Sequence, residues 1–235
     1  MQKKTIAIIL AGGSGERMEG ETPKQFMPLA GKPLIMYSLE TFSNNRSVDG
    51  IILVGLEKYI DKLKDMVARN KIDKVIDIIP GGKTRQESSY KGIKKCPSDT
   101  GHVLIHDAAR PFANDKIIED VLRAVMKCGA AVPVMCFSDT VAIEKDGFID
   151  TIPDRNRYRR IQTPQGFSYE VILEAHEKAR ENKITDSTDD CGLVRGIGRS
   201  VKTVESDPVN MKITDRNDIM LAEREICRRE EKQDD

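Results

Sequence analysis

No excess of either charge exists in this chain: 38 Lys and Arg stand against 38 Asp and Glu over 235 residues. A nucleic-acid binder usually shows a basic excess. Nucleic acid is therefore not an expected partner, and any anion site has to be built by local placement of Lys and Arg. The five cysteines, Cys96, Cys128, Cys136, Cys191 and Cys227, are odd in number and none has C-x-x-C spacing. That speaks against a disulfide framework or structural zinc and fits a reducing, cytoplasmic setting. No apolar run approaches transmembrane length, so no membrane partner is expected. The start, Met1 to Ala11, imitates a signal peptide, but its apolar run is short and leads into glycines and charges. It reads as a buried first strand. Internal repeats and low-complexity segments are absent.

What is present is a regular alternation. Ile6–Leu10, Ile51–Val54, Val75–Ile79, Val103–Ile105 and Ala130–Met135 are short Ile- and Val-rich runs, as expected of strands covered on both faces. Helix-like stretches fall between them at Pro33–Phe42, Glu57–Arg69, Thr84–Lys94 and Asn114–Lys127. The length suits one domain, 1–235. The alternation predicts an α/β fold with a mostly parallel sheet, whose ligand site lies beyond the carboxyl ends of the strands. From about Asp139 to Gln165 the alternation breaks. Lys145-Asp146-Gly147 between two alternating runs is a hairpin signal, and 139–165 is expected to project as a β-arm. Arg157, Arg159 and Arg160 read as a solvated face. Helices are expected again near Tyr169–Glu181, Asp189–Arg195 and Arg216–Arg228, with a strand near Val201–Glu205 and a frayed charged tail from Arg229.

Two familiar phosphate loops are excluded. The run Leu10-Ala11-Gly12-Gly13-Ser14-Gly15-Glu16-Arg17-Met18 has no Lys-Ser or Lys-Thr to complete a Walker A loop. Met18 stands where a dinucleotide fingerprint needs its third glycine. What remains is a loop whose glycines (Gly12, Gly13, Gly15) let backbone N–H groups approach phosphate oxygens. Two cations, Arg17 and Lys24, can point at a polyphosphate. A second turn, Gly81-Gly82, precedes Ser88 and offers backbone and hydroxyl hydrogen bonds to a flat base. Strand four ends in His106-Asp107-Ala108-Ala109-Arg110, and Asp107 is well placed for Mg²⁺, which takes oxygen ligands. His106 reads as a partly buried strand residue rather than a catalyst, and His102 and His176 sit in no motif.

These runs, with Pro23–Phe26, Asp154–Asn156, Gln162–Phe167, Thr188–Asp190 and Asn210–Thr214, stand in one order along nearly the whole chain. They resemble the 2-C-methyl-D-erythritol 4-phosphate cytidylyltransferase family, within the sugar-nucleotide pyrophosphorylase and cytidylyltransferase superfamily. The resemblance implies a Rossmann-like three-layer nucleotidyltransferase domain, a homodimer formed through the β-arm, and a cytoplasmic role in isoprenoid precursor synthesis. It implies CTP and a small polyol phosphate as substrates, with Mg²⁺. Arg17, Lys24 and Lys212 would surround the phosphates. Ala11, Gly12, Gly13, Gly15, Gly82 and Ser88 would bind the nucleotide. Asp107, Arg110, Arg155, Thr163 and Thr188 would line the acceptor site, and Asp107 and Asn210 would hold the metal. Lys83 departs from the frequent acid after Gly-Gly, and Cys191-Gly192 replaces the usual Ala-Ser.

A cytidylyltransferase for another polyol phosphate, such as ribitol 5-phosphate, would share every phosphate-handling residue. Thr188–Asp190 and His106–Arg110 favour the erythritol family. A non-catalytic nucleotide-binding module would be expected to lack one of Lys24, Asp107 or Lys212, and all three are present.

Overall fold

The computed structural model describes residues 3–13 and 23–231. In chain order the first half comprises β1 (Lys4–Ala11), the short pair β2 (Pro28–Leu29) and β3 (Lys32–Pro33), α1 (Leu34–Asn44), β4 (Gly50–Gly55), α2 (Ile60–Arg69), β5 (Val75–Pro80), α3 (Arg85–Lys94) and β6 (Thr100–Asp107). Then follow α4 (Asp115–Cys128), β7 (Ala130–Cys136), β8 (Ile143–Lys145), β9 (Phe148–Thr151), β10 (Arg159–Ile161) and β11 (Gln165–Ser168). The chain closes with α5 (Tyr169–Glu181), α6 (Asp190–Gly196), β12 (Lys202–Glu205) and α7 (Arg216–Glu231).

The main sheet runs β10-β7-β11-β6-β1-β4-β5, with β12 also paired to β7. Parallel pairing joins β6, β1, β4 and β5, and β12 to β7. The predicted β-α alternation is therefore present. Strands β10 and β11 go beyond the sequence pattern: both pair antiparallel, β11 filling the gap between β6 and β7. Their runs are short and polar, with Gln165 and Gly166 in place of a β-branched pair, so neither carries a strand's usual signal.

Both faces of the sheet are covered, and the period of two assigns the side chains. Ala7, Ile9, Ile51, Leu53 and Leu104 pack on the side of α1 and α4, with Ile35, Leu39, Phe42, Ile118 and Val121. Ile6, Ile8, Ile52, Val54, Val103 and Ile105 face the other layer, against Ile93, Ile172, Ala175 and Val194. A smaller cluster of Leu29, Leu34, Phe112, Ile213, Ala222 and Ile226 seats α7.

Helix starts are capped where the site needs them. Thr84, Asn114 and Asp189 each accept from a backbone N–H three residues on. The turn between β8 and β9 has positive φ at Asp146 (52°) and Gly147 (82°), as the Asp-Gly signal requires. The last helix runs further than the sequence suggests, to Glu231, because Arg229 pairs with Glu225 one turn back at 2.8 Å. Residues 232–235 of the expected frayed tail lie outside the described residues.

Candidate active site at the carboxyl edge of the sheet

The carboxyl ends of β1, β4, β5 and β6 are tied together by their own backbones. Ala108 N–H donates to the Leu10 carbonyl at 3.0 Å, and Gly81 N–H to the Gly55 carbonyl at 2.7 Å. A Cβ at Gly81 would lie 2.8 Å from Ser88 Oγ, so a side chain there would have to displace that hydroxyl. The Ser88 hydroxyl accepts from Gly82 N–H at 3.0 Å and donates to the Thr84 carbonyl at 3.0 Å, so it shapes the turn. The two glycine loops meet here, since a Cβ on Gly12 would sit 3.7 Å from that hydroxyl.

Gln25 Nε2 holds the end of β1 by donating to the Ala11 carbonyl at 2.8 Å, which fixes the short turn at Lys24–Phe26. Lys24 Nζ reaches the Ile213 carbonyl at 3.2 Å, and Gly13 lies beside the Lys24 stem. Gly15 and Arg17 lie outside the described residues.

Asp107, the last residue of β6, is the centre. Its Oδ2 accepts from Lys212 Nζ at 2.7 Å and its Oδ1 from Arg85 Nε at 3.3 Å. Burial alone would raise this carboxyl, but Arg85 and Lys212 outweigh burial and hold it well below the ordinary carboxylate range. Behind Arg85 stands Asp190, which accepts from Arg85 Nη1 at 2.6 Å, from Ser89 Oγ at 2.6 Å and from His176 Nε2 at 2.9 Å. The Gln165 amide oxygen receives the backbone N–H groups of Asp190 and Cys191 at 3.1 and 3.0 Å.

Thr163 joins the other side. Its Oγ1 accepts from Asp107 N–H at 3.1 Å and, because the carbonyl facing Nε2 of the neutral His106 ring can only accept, donates its own proton to Nδ1, 3.0 Å away. That leaves Nε2–H of His106 to donate to the Arg110 carbonyl at 3.1 Å. His106 is fully buried rather than partly buried, and burial pushes its imidazole down to about 4, so it is neutral here. Arg110 is itself buried and donates through Nη1 to the Asn210 carbonyl at 2.9 Å. Asn210 gives its amide protons to Gln162 Oε1 and to the Thr163 carbonyl, at 3.2 and 2.9 Å. Its Oδ1 is buried and has no hydrogen-bond partner among the described residues.

The structure thus brings together Ala11, Gly12, Gly13, Lys24, Gly82, Ser88, Asp107, Arg110, Thr163, Asn210 and Lys212. Thr188 is exposed on the loop before α6, which Gln86 holds by bonds to Ile184 and Ser187. Arg155 stands apart: it is exposed, and it donates to the Ser138 carbonyl. Among the described residues no hydrogen bond or ion pair links it to Asp107, Arg85 or Lys212. Three participants escape the motif reading: Arg85, Ser89 and His176. His176 is visible in the sequence as the polar member of the stripe Ile172, Ala175, His176, Ala179 on the buried face of α5. Arg85 and Ser89 are one turn apart at the start of α3, a spacing that puts both on one face. The two departures from the family pattern are absorbed locally. Cys191 turns into the core beneath α6, where burial pushes its thiol up to about 12, and Lys83 gives its backbone N–H to Glu87.

Asp107 and the unpartnered Asn210 Oδ1 are hard oxygen donors at one end of the sheet. They suit an ion that takes one or two protein oxygens and completes its shell with water and phosphate. Among the described residues no group of three or more His, Cys, Asp and Glu could form an all-protein cage.

A profile of the 2-C-methyl-D-erythritol 4-phosphate cytidylyltransferase family (IspD) matches residues 5–228. The chain belongs to this family. A Clostridium botulinum (strain 657 / Type Ba4) relative named 2-C-methyl-D-erythritol 4-phosphate cytidylyltransferase is 42% identical over 221 residues, covering 94% of this chain and 96% of that protein. A Vibrio parahaemolyticus relative named ribitol-5-phosphate cytidylyltransferase is 38% identical over 224 residues, covering 92% and 93%. Among solved structures, the 4-diphosphocytidyl-2C-methyl-D-erythritol synthase of Anaerococcus prevotii superposes with a TM-score of 0.84 at 32% identity, covering 95% of this chain and 96% of that one. The 2-C-methyl-D-erythritol 4-phosphate cytidylyltransferase of Thermus thermophilus gives 0.76 at 29% identity, covering 92% and 96%. The α/β nucleotidyltransferase fold expected from the sequence is the fold observed. No helix among the described residues is long and apolar enough to cross a membrane.

Proposed function

We propose that this chain transfers CMP from CTP to 2-C-methyl-D-erythritol 4-phosphate, releasing pyrophosphate, in the non-mevalonate route to isoprenoid precursors. The observation that carries the reading is the ionised Asp107 at the end of β6, flanked by Lys212 and Arg85, in a chain of this family. An oxygen of the acceptor phosphate attacks the α-phosphorus of CTP in line with the departing pyrophosphate. A phosphate monoester has a second pKa of about 6 and is largely dianionic at neutral pH, so it needs no general base. The neutral, fully bonded His106 is consistent with that.

The protein's part is positioning and charge. Lys24 and Lys212 meet the negative charge that builds on the transferring phosphoryl group, with Arg17 from the glycine loop. Gly12, Gly13 and the Gly81-Gly82 turn bring backbone close to the nucleotide, where their N–H and C=O groups would read a pyrimidine base. Thr163, Thr188 and Arg110 border the acceptor. Mg²⁺, held by Asp107 and Asn210, would supply charge neutralisation on phosphate oxygens.

The active unit is a homodimer formed by the β8–β9 arm. Phe148 (78% exposed), Ile149 (64%) and Ile152 (64%) are uncovered in one chain, and an isolated hairpin is marginal in water. The second reading, ribitol 5-phosphate as acceptor, rests on the 38% identical Vibrio relative. Pyrophosphate release with CTP and each acceptor separately decides between them. Turnover with the erythritol phosphate at a kcat/KM well above that for ribitol 5-phosphate is expected. The reverse preference would move the chain to the second reading, and release with neither would overturn both.

A further inference from the structure

We propose that Arg85 is a positioning residue for nucleotidyl transfer: anchored by the buried Asp190, it fixes the orientation of the Asp107 carboxylate. The proposal deepens the cytidylyl-transfer reading and rests on it. Three features of the geometry support it.

The first is the contrast in exposure between the two ends of one chain of ion pairs. The Asp190 side chain is 1% exposed, Arg85 23%, Asp107 12% and Lys212 38%. The inner end is enclosed and the outer end faces water. The second is that the inner end is saturated. Both Asp190 oxygens are used, Oδ1 by Ser89 and His176 and Oδ2 by Arg85. Its backbone N–H is held by Gln165. A carboxylate so bound has no alternative orientation, and burial in low dielectric strengthens each bond. The third is the fork of the guanidinium. Arg85 uses Nη1 for Asp190 and Nε for Asp107 Oδ1. One planar group therefore carries the rigidity of the core to the catalytic edge, whereas the rotatable donors of an ammonium would not hold two carboxylates in a fixed plane.

The consequence is a division of labour at Asp107. Oδ1 is committed to Arg85, while Oδ2 points at Lys212 on the more exposed side. With the carboxylate plane set by Arg85, the outer side of Asp107 and the Lys212 ammonium keep their places relative to the phosphates. Arg85 itself need touch neither substrate.

Arg85→Lys and Ser89→Ala test this, each alone and each combined with Asp107→Asn, at saturating Mg²⁺. The Ser89 hydroxyl donates to Asp190, so its loss loosens the anchor without removing a charge. Arg85→Lys should lower kcat roughly ten- to a hundredfold, the scale of a misplacement of about 1 Å. KM for CTP and the CTP dissociation constant from calorimetry should stay within about threefold, because ground-state binding is made elsewhere. Ser89→Ala should lower kcat by a smaller factor, about three- to tenfold by the same reasoning. In the Asp107→Asn background both substitutions should lose most of their effect, since they act through Asp107.

A folded Arg85→Lys enzyme with wild-type kcat overturns the proposal. So does a kcat loss that stays undiminished in the Asp107→Asn background. Should Arg85→Lys fail to give a cooperative melt, Ser89→Ala decides alone: wild-type kcat in the folded protein overturns the idea, and the expected drop sustains it. The wild-type control reports separately on the reaction. No pyrophosphate with either acceptor overturns the cytidylyl-transfer reading and this proposal with it, whereas an active wild type beside an unaltered variant overturns the proposal only.

Discussion

Lys212 Nζ lies 2.7 Å from Oδ2 of Asp107, an ion pair closed across 105 positions of sequence. The pair is made by two loops that clasp each other, since Ile213 N–H donates to the Ala109 carbonyl at 2.8 Å and Arg110 holds the Asn210 carbonyl. It joins the residue proposed to meet the triphosphate to the residue proposed to hold its metal.

Asp107→Asn should therefore raise the Mg²⁺ concentration needed for half-maximal activity, by about tenfold or more, because an amide oxygen lacks the charge a hard cation prefers. Chelation should abolish turnover of the wild type. A metal titration of pyrophosphate release checks both. Normal turnover after treatment with EDTA would remove the metal assignment.

Lys24→Ala should lower kcat by about two to three orders of magnitude while the protein stays folded, as for other groups aimed at developing charge. Lys24 sits on the short turn that Gln25 fastens to Ala11, so the turn should persist without its ammonium. Circular dichroism and single-turnover kinetics together test this. Near-normal turnover in the folded variant would take Lys24 out of the catalytic role.

The framework of the site is legible in the sequence because the strand ends carry it. Apolar runs mark β1, β4, β5 and β6, and residues at or just beyond the ends of these strands, Gly12, Gly81, Asp107 and Arg110, are where the structure converges. The Asp-Gly pair locates the β8–β9 turn for the same local reason. The network behind Asp107 is not legible, because it is built from long-range pairs. Arg85 meets Asp190 across 105 positions, and His176 meets Asp190 from another helix. Strand β11 escapes the pattern because Gln165 spends its amide oxygen on the first turn of α6 rather than packing as an apolar strand residue. That role exists only once α6 is in place.

Acid should destabilise the protein through the same network. Asp190 is raised by burial, but Arg85, His176 and Ser89 outweigh that and bring its carboxyl down to about 2. Between the ordinary carboxylate value and that figure the unfolded chain binds a proton that the folded chain does not. Stability from Asp190 is thus present above about pH 4 and is lost as the pH falls towards about 2. Asp190→Asn leaves Arg85 short of one buried partner and should cost about 3 kcal/mol at neutral pH. The gap between wild type and variant should close across that acid window. Urea melts at a series of pH values measure it, and a gap that stays constant from neutrality down to about pH 2 would contradict the pairing.

The last prediction concerns Arg155. In its own chain it is exposed, donates to the Ser138 carbonyl, and has no hydrogen bond or ion pair to the Asp107 cluster among the described residues. It lies just beyond β9, at the base of the arm whose Ile143, Phe148, Ile149 and Ile152 are uncovered. A two-fold dimer would cover those side chains with their own counterparts. If the arms cross, Arg155 reaches the neighbour's site and presents its planar donor fork to the acceptor phosphate. The competing arrangement is an arm that serves its own domain, with Arg155 acting in cis. Mixing folded, inactive Lys24→Ala and Arg155→Ala proteins separates the two. With supply in trans, each mixed dimer has one site carrying both defects and one intact site. Activity should then return to about a quarter of wild type as subunits exchange at random. With supply in cis every site keeps one defect, and nothing returns. Exchange itself is followed by native mass spectrometry with one subunit mass-labelled. Mixed dimers that form and remain inactive would exclude the shared site.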